Sequence, residues 1–369
     1  MDMRKVMLQA RMSGRSALVI SGLVFMGILL VYSRAFAQGG VATQAGSSPA
    51  IQLNVRSADH AAAGNVLEFR YHLLPAKTKA AKGVSLDGPE PFSLPAAHKL
   101  APAAKAAATP RFYPADLSDF GGSVVASAVF DNVYFNCADQ SCWGNPVGFQ
   151  NDLANSKFIH LVDQYVGLKN NNRYAVGAQF TVSQPGVTSL TLNDIFAIVH
   201  AVAADTAHGG GNGYGHIIHV FLPQGTDTCV DAANTECYSP DVPSTFTFCG
   251  YHTSVQFADL GETLFTVEPF QNVPGSGCAV ATPSPNGQDA DSTNDLLSHE
   301  IFETITDPDG DAWTANNSLP ESGNEIADEC QGIYDSMSQE LVPTFAINST
   351  LYEVELEYSN RSHACANAL

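Results

Sequence analysis

The residues whose types and spacing could do chemistry lie between Ser298 and Asp328. His299 and Glu303 are four residues apart, so on a helix both side chains leave the same face, one turn apart. Glu300 borders that face. Zinc peptidases use this layout, in which ligands at i and i+4 hold the ion and a neighbouring carboxylate acts on the metal-bound water. The usual second ligand is His, whereas this chain has Glu303.

A second segment further along the chain supplies the remaining ligand. Glu325 follows Glu303 after 21 intervening residues, an interval that suits a helix–loop–helix return. We predict a zinc site with His299, Glu303 and Glu325 as ligands and water in the fourth position. Glu300 is then the general base, and Asp328 orients the metal-bound His.

Two alternatives to a catalytic zinc site stay open. Glu is common on helices, so the motif also fits a solvent-exposed helix face. Two carboxylates and one imidazole would neutralise the charge of zinc and reduce its power to acidify water. The site could therefore bind zinc and still be a poor hydrolase.

The segment after the motif is acidic and was compared with the pattern of a calcium-binding loop. Asp307, Asp309 and Asp311 resemble the start of a calcium loop, but Ala312 and Ser318 stand where an EF-hand needs Gly and Glu. We expect an acidic turn, with a calcium loop of another type as the alternative.

Three further histidines have ring nitrogens that can bind a metal. His252 follows Cys249 at an expected strand bend and is a candidate metal ligand or donor to a developing oxyanion, with a structural His as the alternative. His216 and His219 are three apart on an expected strand, so they face opposite sides and do not share a metal.

The N-terminus and the cysteines indicate export. Residues 1–37 read as a signal peptide, with a basic start, an apolar run and a small-x-small site at residues 35–37; a retained anchor is the alternative. Eight cysteines follow, an even number that is typical of disulfides. Short separations favour Cys137–Cys142 and Cys229–Cys237. The expected location is extracellular or periplasmic.

Charge and composition divide the mature chain. Residues 112–369 hold 4 basic and 32 acidic residues, which argues against binding nucleic acid or an anionic membrane surface.

Residues 38–115 read as a low-complexity linker or pro-segment with a possible hairpin of Ile51–Val55 and Val66–Leu73. Residues 116–369 form the main domain. Its helical and strand patterns mix without strict alternation, which predicts an α+β fold with a mixed sheet, a metal helix at Ser292–Ile305 and a second short ligand helix.

The chain resembles the EXORDIUM-like, or phosphate-induced protein, family of secreted proteins from plants and bacteria. The matching segments are Gly121–Val124, Val133–Phe135, Cys249–His252, Ser298–Glu303, Thr306–Pro308 with Trp313, and Glu325–Asp328 with Cys330, Gly332 and Tyr334. The Gly-rich continuation and Trp-rich ending of plant members are absent. The resemblance implies an extracellular protein tied to the cell surface or wall, without a proven reaction.

Three functions follow as hypotheses. The first is a secreted zinc protein with a metallopeptidase-like site that hydrolyses peptide bonds. The second is a non-enzymatic extracellular or cell-surface factor with a structural metal, and the third is a calcium-dependent binding module. The expected partners are an extracellular protein, a peptide or a cell-wall component.

Overall fold

The computed structural model describes residues 49–76, 116–167, 171–315, 324–330 and 342–369. The predicted signal peptide and most of the predicted linker lie outside these residues. The described segments belong to one compact unit that spans Ser47–Leu369. Among them, no helix is long and apolar enough to cross a membrane.

The longest strands lie in the central sheet. In chain order they are β1 (Ile51–Leu53), β2 (Val66–Pro75), β3 (Leu117–Asp119), β4 (Ala128–Phe135), β5 (Tyr174–Val182), β6 (Ser189–Leu190), β7 (His216–Leu222), β8 (Asp227–Cys229), β9 (Cys237–Tyr238), β10 (Phe248–Phe257), β11 (Gly261–Pro269), β12 (Trp313–Ala315), β13 (Thr344–Ile347), β14 (Thr350–Glu353), β15 (Glu357–Ser359) and β16 (Ala364–Ala366).

The helices vary more in length. They are α1 (Ser57–Ala63), α2 (Pro146–Ala154), α3 (Asp163–Val166), α4 (Leu192–Ala203) and α5 (Gln288–Thr306), with 3-10 turns at Gln140–Trp143, Ile159–Val162, Thr206–His208 and Gly213–Gly215.

The central sheet is mixed, with the strand order β1-β5-β4-β7-β11-β10-β2. The strands from β1 to β11 in this order pair in parallel, and β10 is antiparallel to both of its neighbours. The predicted α+β fold with a mixed sheet is confirmed.

Apolar side chains cover both faces of this sheet. On β4, Val133 and Phe135 join a core with α4, whereas Phe130 and Tyr134 join a second core with α5. This burial on both faces explains why β7 reads as an almost continuous apolar run. The α5 face is the one that carries the candidate site.

The predicted hairpin of Ile51–Val55 and Val66–Leu73 is wrong. Helix α1 connects the two segments, with Asp59 accepting the backbone N–H of Arg56 at its start. The segments become β1 and β2, at opposite edges of the central sheet. Their alternating pattern reports half-buried strands, and it carries no information about the partner of each strand.

Four disulfides pair all eight cysteines. The two predicted local pairs, Cys137–Cys142 and Cys229–Cys237, are confirmed. The other two are Cys249–Cys278 and Cys330–Cys365. Both attach segments of the candidate site to the rest of the fold, since Cys249 lies in β10 and Cys330 follows Asp328 by two residues.

Candidate metal centre

Helix α5 is defined by clear signals at both ends. It follows Gly287, whose φ of 92° suits glycine, and it carries Asp289 and Asp291 in its first turn, where the helix dipole favours negative charge. It ends at Thr306, because the next residue, Asp307, precedes a proline and is disfavoured in the helical conformation.

The motif side chains lie on a buried part of α5. Leu297, Ile301 and Ile305 pack into the apolar core on one side. His299, Glu300 and Glu303 are exposed by only 1%, 0% and 2%. The alternative of a solvent-exposed helix face is therefore wrong. Buried ionisable groups need partners, because removing a charge from water is costly.

Strand β10 approaches this helix closely at Gly250. A Cβ atom at Gly250 would lie 2.5 Å from a methyl carbon of Leu296 and 3.1 Å from a carboxylate oxygen of Glu300. The glycine therefore permits the close contact of strand and helix. Two residues later, His252 is buried and faces the carboxylates of α5.

The ring of His299 is held so that Nε2 points into the centre. Its Nδ1 is hydrogen-bonded to the carboxylate of Glu355. Its Nε2 lies 3.1 Å from Oε2 of Glu303 and 3.8 Å from Oδ1 of Asp328, and forms no hydrogen bond. A carboxylate on one ring nitrogen is the arrangement that fixes a metal-ligating His.

His252 presents Nδ1 to the carboxylate of Glu303. Its Nε2 donates to the backbone carbonyl of Asp307 at 3.3 Å, since a carbonyl can only accept. Its Nδ1 then carries the lone pair in the neutral ring. That atom lies 3.3 Å from Oε2 of Glu303 and 3.4 Å from Oε2 of Glu300 without a hydrogen bond.

The short segment after residue 323 supplies further carboxylates. Glu325 precedes a helical turn at Asp328–Cys330, and the following residues lie outside the described part of the chain. Oε2 of Glu325 lies 3.4 Å from Nε2 of His252, and Oε1 lies 2.7 Å from Nδ1 of His72. The backbone N–H of Asp328 donates to Oε1 of Glu303.

Two groups of three ligand atoms result. His252, Glu303 and Glu325 form one, and His299, Glu303 and Asp328 form the other; within each group the atoms all lie within 4.8 Å of one another. Glu303 belongs to both groups, so it connects the two other predicted ligands, His299 and Glu325. Glu325, however, is grouped with His252.

Negative charge dominates the cluster, and it shifts the pKa values of the imidazoles. Burial disfavours protonated His299, but Glu303 and Glu355 outweigh burial and raise its pKa well above the usual range. Burial also opposes protonation of His252, and Glu325 and Glu300 outweigh it in the same way. The carboxylates therefore favour positive charge at both imidazoles, as they would favour a bound cation.

The pKa values of the carboxylates shift in opposite directions. Burial raises the pKa of Glu300 to about 8 and that of Asp307 to about 7. Burial, followed by the charge of Glu303, raises the pKa of Asp328. For Glu303, burial is outweighed by the charges of His299 and His252, so its pKa is lowered. The two imidazoles therefore favour the ionised form of Glu303, whereas burial favours the protonated forms of Glu300 and Asp328.

Two members of the cluster were missed in the sequence. His72 in β2 lies beside Glu325 and stacks on His252 with ring centroids 5.3 Å apart. Glu355 lies between β14 and β15. Both reach the site through tertiary pairing, and neither has a local spacing signal. The only hint for Glu355 was the run of Glu at alternate positions 353, 355 and 357.

The acidic turn after α5 uses its carboxylates for other contacts. Asp307 accepts the backbone N–H of Ala312, Asp309 accepts the hydroxyl of Tyr214, and Asp311 pairs with Arg70. These contacts support the prediction of a structural turn.

His216 and His219 make contacts outside the centre. His216 contacts Asp131, whereas Nδ1 of His219 contacts the hydroxyl of Thr266. The two rings therefore have separate partners, as their spacing on β7 predicts.

Comparison with protein-family models, with curated proteins and with solved structures finds no match for this chain.

Proposed function

We propose that this protein is a secreted zinc-binding protein with a metallopeptidase-like site on α5. The observation that carries the proposal is the contact of two imidazole nitrogens with Oε2 of Glu303. In the neutral rings these nitrogens of His252 and His299 are acceptors, and Glu303 is also an acceptor. Buried acceptors at 3.1–3.3 Å repel unless a proton or a cation lies between them.

The donor set fits zinc. His299 and Glu303 hold the ion, and a carboxylate of the turn that contains Glu325 and Asp328 completes the ligands. Imidazole combined with carboxylate oxygen suits zinc and its first-row neighbours, whereas calcium prefers oxygen alone. Bound zinc supplies Lewis-acid polarisation of a carbonyl and acidification of water.

Glu300 is the proton acceptor in this proposal. Both of its carboxylate oxygens are buried and without a hydrogen bond, and one lies 3.4 Å from Nδ1 of His252. A carboxylate with this freedom can take a proton from water and deliver it to a leaving amine. His252 lies beside this carboxylate and is a candidate metal ligand or oxyanion donor.

An extracellular location is part of the proposal. Four disulfides are consistent with an oxidising compartment. The resemblance to the EXORDIUM-like family points the same way, and it suggests a peptide, an extracellular protein or a cell-wall component as partner.

A structural metal in a non-enzymatic factor is the second candidate, and the burial of the centre favours it. His252, His299, Glu300, Glu303 and Glu325 are each exposed by 2% or less. The cavity beside His299 and Glu355 measures about 20 Å³. That volume suits a single water molecule and not a substrate.

A peptide-library digest combined with zinc analysis separates the two candidates. The mature protein, Glu300→Gln, His299→Ala and the exposed control His208→Ala are purified alike, and their folding is checked by circular dichroism. The peptidase proposal predicts bound zinc in wild type and Glu300→Gln, and cleavage in wild type that Glu300→Gln abolishes. Bound zinc without cleavage supports the structural role. Absence of zinc from folded wild type and from the control rejects both.

A further inference from the structure

We propose that Glu303 bridges two metal-ion positions, so that the centre is dinuclear. This inference rests on the zinc site proposed above and deepens it. One position lies among His299, Glu303 and Asp328, and the other among His252, Glu303 and Glu325. The ions are first-row divalent cations, for which each position offers one imidazole and two carboxylates.

The first argument is that the two imidazoles fall into different ligand groups. Nε2 of His299 and Nδ1 of His252 both approach Oε2 of Glu303, at 3.1 and 3.3 Å, from separate structural elements. Hydrogen bonds at the opposite ring nitrogens, to Glu355 and to the carbonyl of Asp307, direct both lone pairs toward Glu303. A carboxylate that faces two imidazole nitrogens is suited to bridge two ions.

The second argument is that one ion would leave half of the centre without partners. Nε2 of His299 and Oδ1 of Asp328 make no hydrogen bond, and neither do Nδ1 of His252 and Oε2 of Glu325. These residues are at least nine-tenths buried. An ion at Nε2 of His299 leaves Nδ1 of His252 without a partner, and an ion at Nδ1 of His252 leaves Nε2 of His299 without one. Oε2 of Glu325 lies 3.4 Å from the opposite nitrogen of His252, Nε2, and completes the second position from that side of the ring. Each unsatisfied buried polar group costs about 1–3 kcal/mol.

The third argument is the charge of the centre. Its carboxylates outnumber its imidazoles by five to three: Glu300, Glu303, Glu325, Asp328 and Glu355 against His72, His252 and His299. Neutral imidazoles bound to metal would offset none of this charge. One divalent cation balances two carboxylates, and a second balances two more. In carboxylate-rich two-metal sites the ions lie about 3.5–4 Å apart.

Zinc stoichiometry tests the proposal on the full mature chain. Metal-free protein, with its fold and disulfides verified, is titrated with Zn²⁺ by calorimetry, and the loaded protein is analysed after gel filtration. Wild type and the control His208→Ala should bind two equivalents. His299→Ala and His252→Ala should each bind one, because each loses a different position. Glu303→Gln should weaken both positions at least tenfold.

The outcomes distinguish this inference from the zinc site on which it rests. One equivalent in wild type, lost in His299→Ala and retained in His252→Ala, would overturn the dinuclear centre and leave the proposed zinc site intact. No binding by folded wild type would overturn both. If the alanine variants misfold, His299→Gln and His252→Gln replace them, and the wild-type stoichiometry alone still decides between one ion and two.

Discussion

Nδ1 of His252 lies 3.3 Å from Oε2 of Glu303, and this contact joins the middle of β10 to the last turns of α5. It connects a strand histidine with the helix motif across 51 residues of sequence. The centre around this contact depends on three neighbouring features. They are the glycine at position 250, the turn that carries Glu325 and Asp328, and the orientation of the second imidazole, His299. Each feature leads to a separate prediction.

The close approach at Gly250 is required for the site. Gly250→Ala would place Cβ 2.5 Å from Leu296, and we expect a loss of about 1–3 kcal/mol in the free energy of unfolding because the helix must move. Zinc affinity should fall as well. Urea unfolding and zinc titration measure the two effects. Gly215→Ala is the control, since an added Cβ there meets no atom within 4 Å. Equal behaviour of the two variants would refute the role of Gly250.

Glu355 orients His299 through Nδ1. Glu355→Gln should lower zinc affinity by about 10–100-fold, as is usual when the carboxylate behind a metal-ligating His is lost. Competition with a chromophoric chelator measures the affinity. The exposed Glu68→Gln is the control variant. Unchanged affinity in Glu355→Gln would show that this carboxylate does not support the metal.

The disulfide Cys330–Cys365 holds the turn that carries Glu325 and Asp328. Replacing both cysteines by Ala should cost about 2–5 kcal/mol of stability and also weaken zinc binding, because the turn loses its covalent attachment. The matched control removes Cys137–Cys142, which should lower stability without affecting zinc affinity. Equal zinc affinities in the two double variants would contradict this assignment.

The acid stability of the fold should depend on Asp59, far from the metal centre in the chain. Burial alone would raise the pKa of Asp59, but hydrogen bonds from Arg56 and His200 outweigh it and lower the pKa. The unfolded-state pKa is about 3.9. The ionised carboxylate therefore stabilises the fold fully above that pH, and the contribution is lost as pH falls through the lower folded-state pKa.

Asp59→Asn tests this linkage. The variant should lose about 1.5–3 kcal/mol at neutral pH, the range for hydrogen bonds to a charged group. Its stability should also decline less steeply than that of wild type below pH 4. Urea unfolding across a pH series gives both values, with the exposed Asp241→Asn as control. Parallel pH profiles for Asp59→Asn and wild type would argue against the linkage.

Local patterns predicted much of the fold. The helix predicted at Ser292–Ile305 is found as α5, which extends four residues before that start and one beyond that end. Strands β5 and β7 also have clear local patterns. These elements have strong periodicity, because each buries one or both faces. Strand β11 was missed, although it lies between β7 and β10 in the sheet. The sequence pattern of one strand does not identify the strands that lie beside it in the sheet.

Sequence spacing predicted only the part of the candidate site that lies on one helix. His299, Glu300 and Glu303 share one helix, so their proximity follows from the helical period. His252 was a candidate on weaker grounds, and the structure places it against Glu303. His72 and Glu355 enter the cluster through the pairing of β2 with β10 and through the segment after β14, which no local rule could predict.

Anomalous X-ray scattering at the zinc absorption edge tests the central claim most directly. Crystals of the mature protein, grown after zinc loading and removal of free metal, should show a strong anomalous peak among Nε2 of His299, Oε2 of Glu303 and the carboxylate of Asp328. A dinuclear centre adds a second peak beside His252 and Glu325. A well-ordered cluster with these side chains in place and without any anomalous peak would contradict the account.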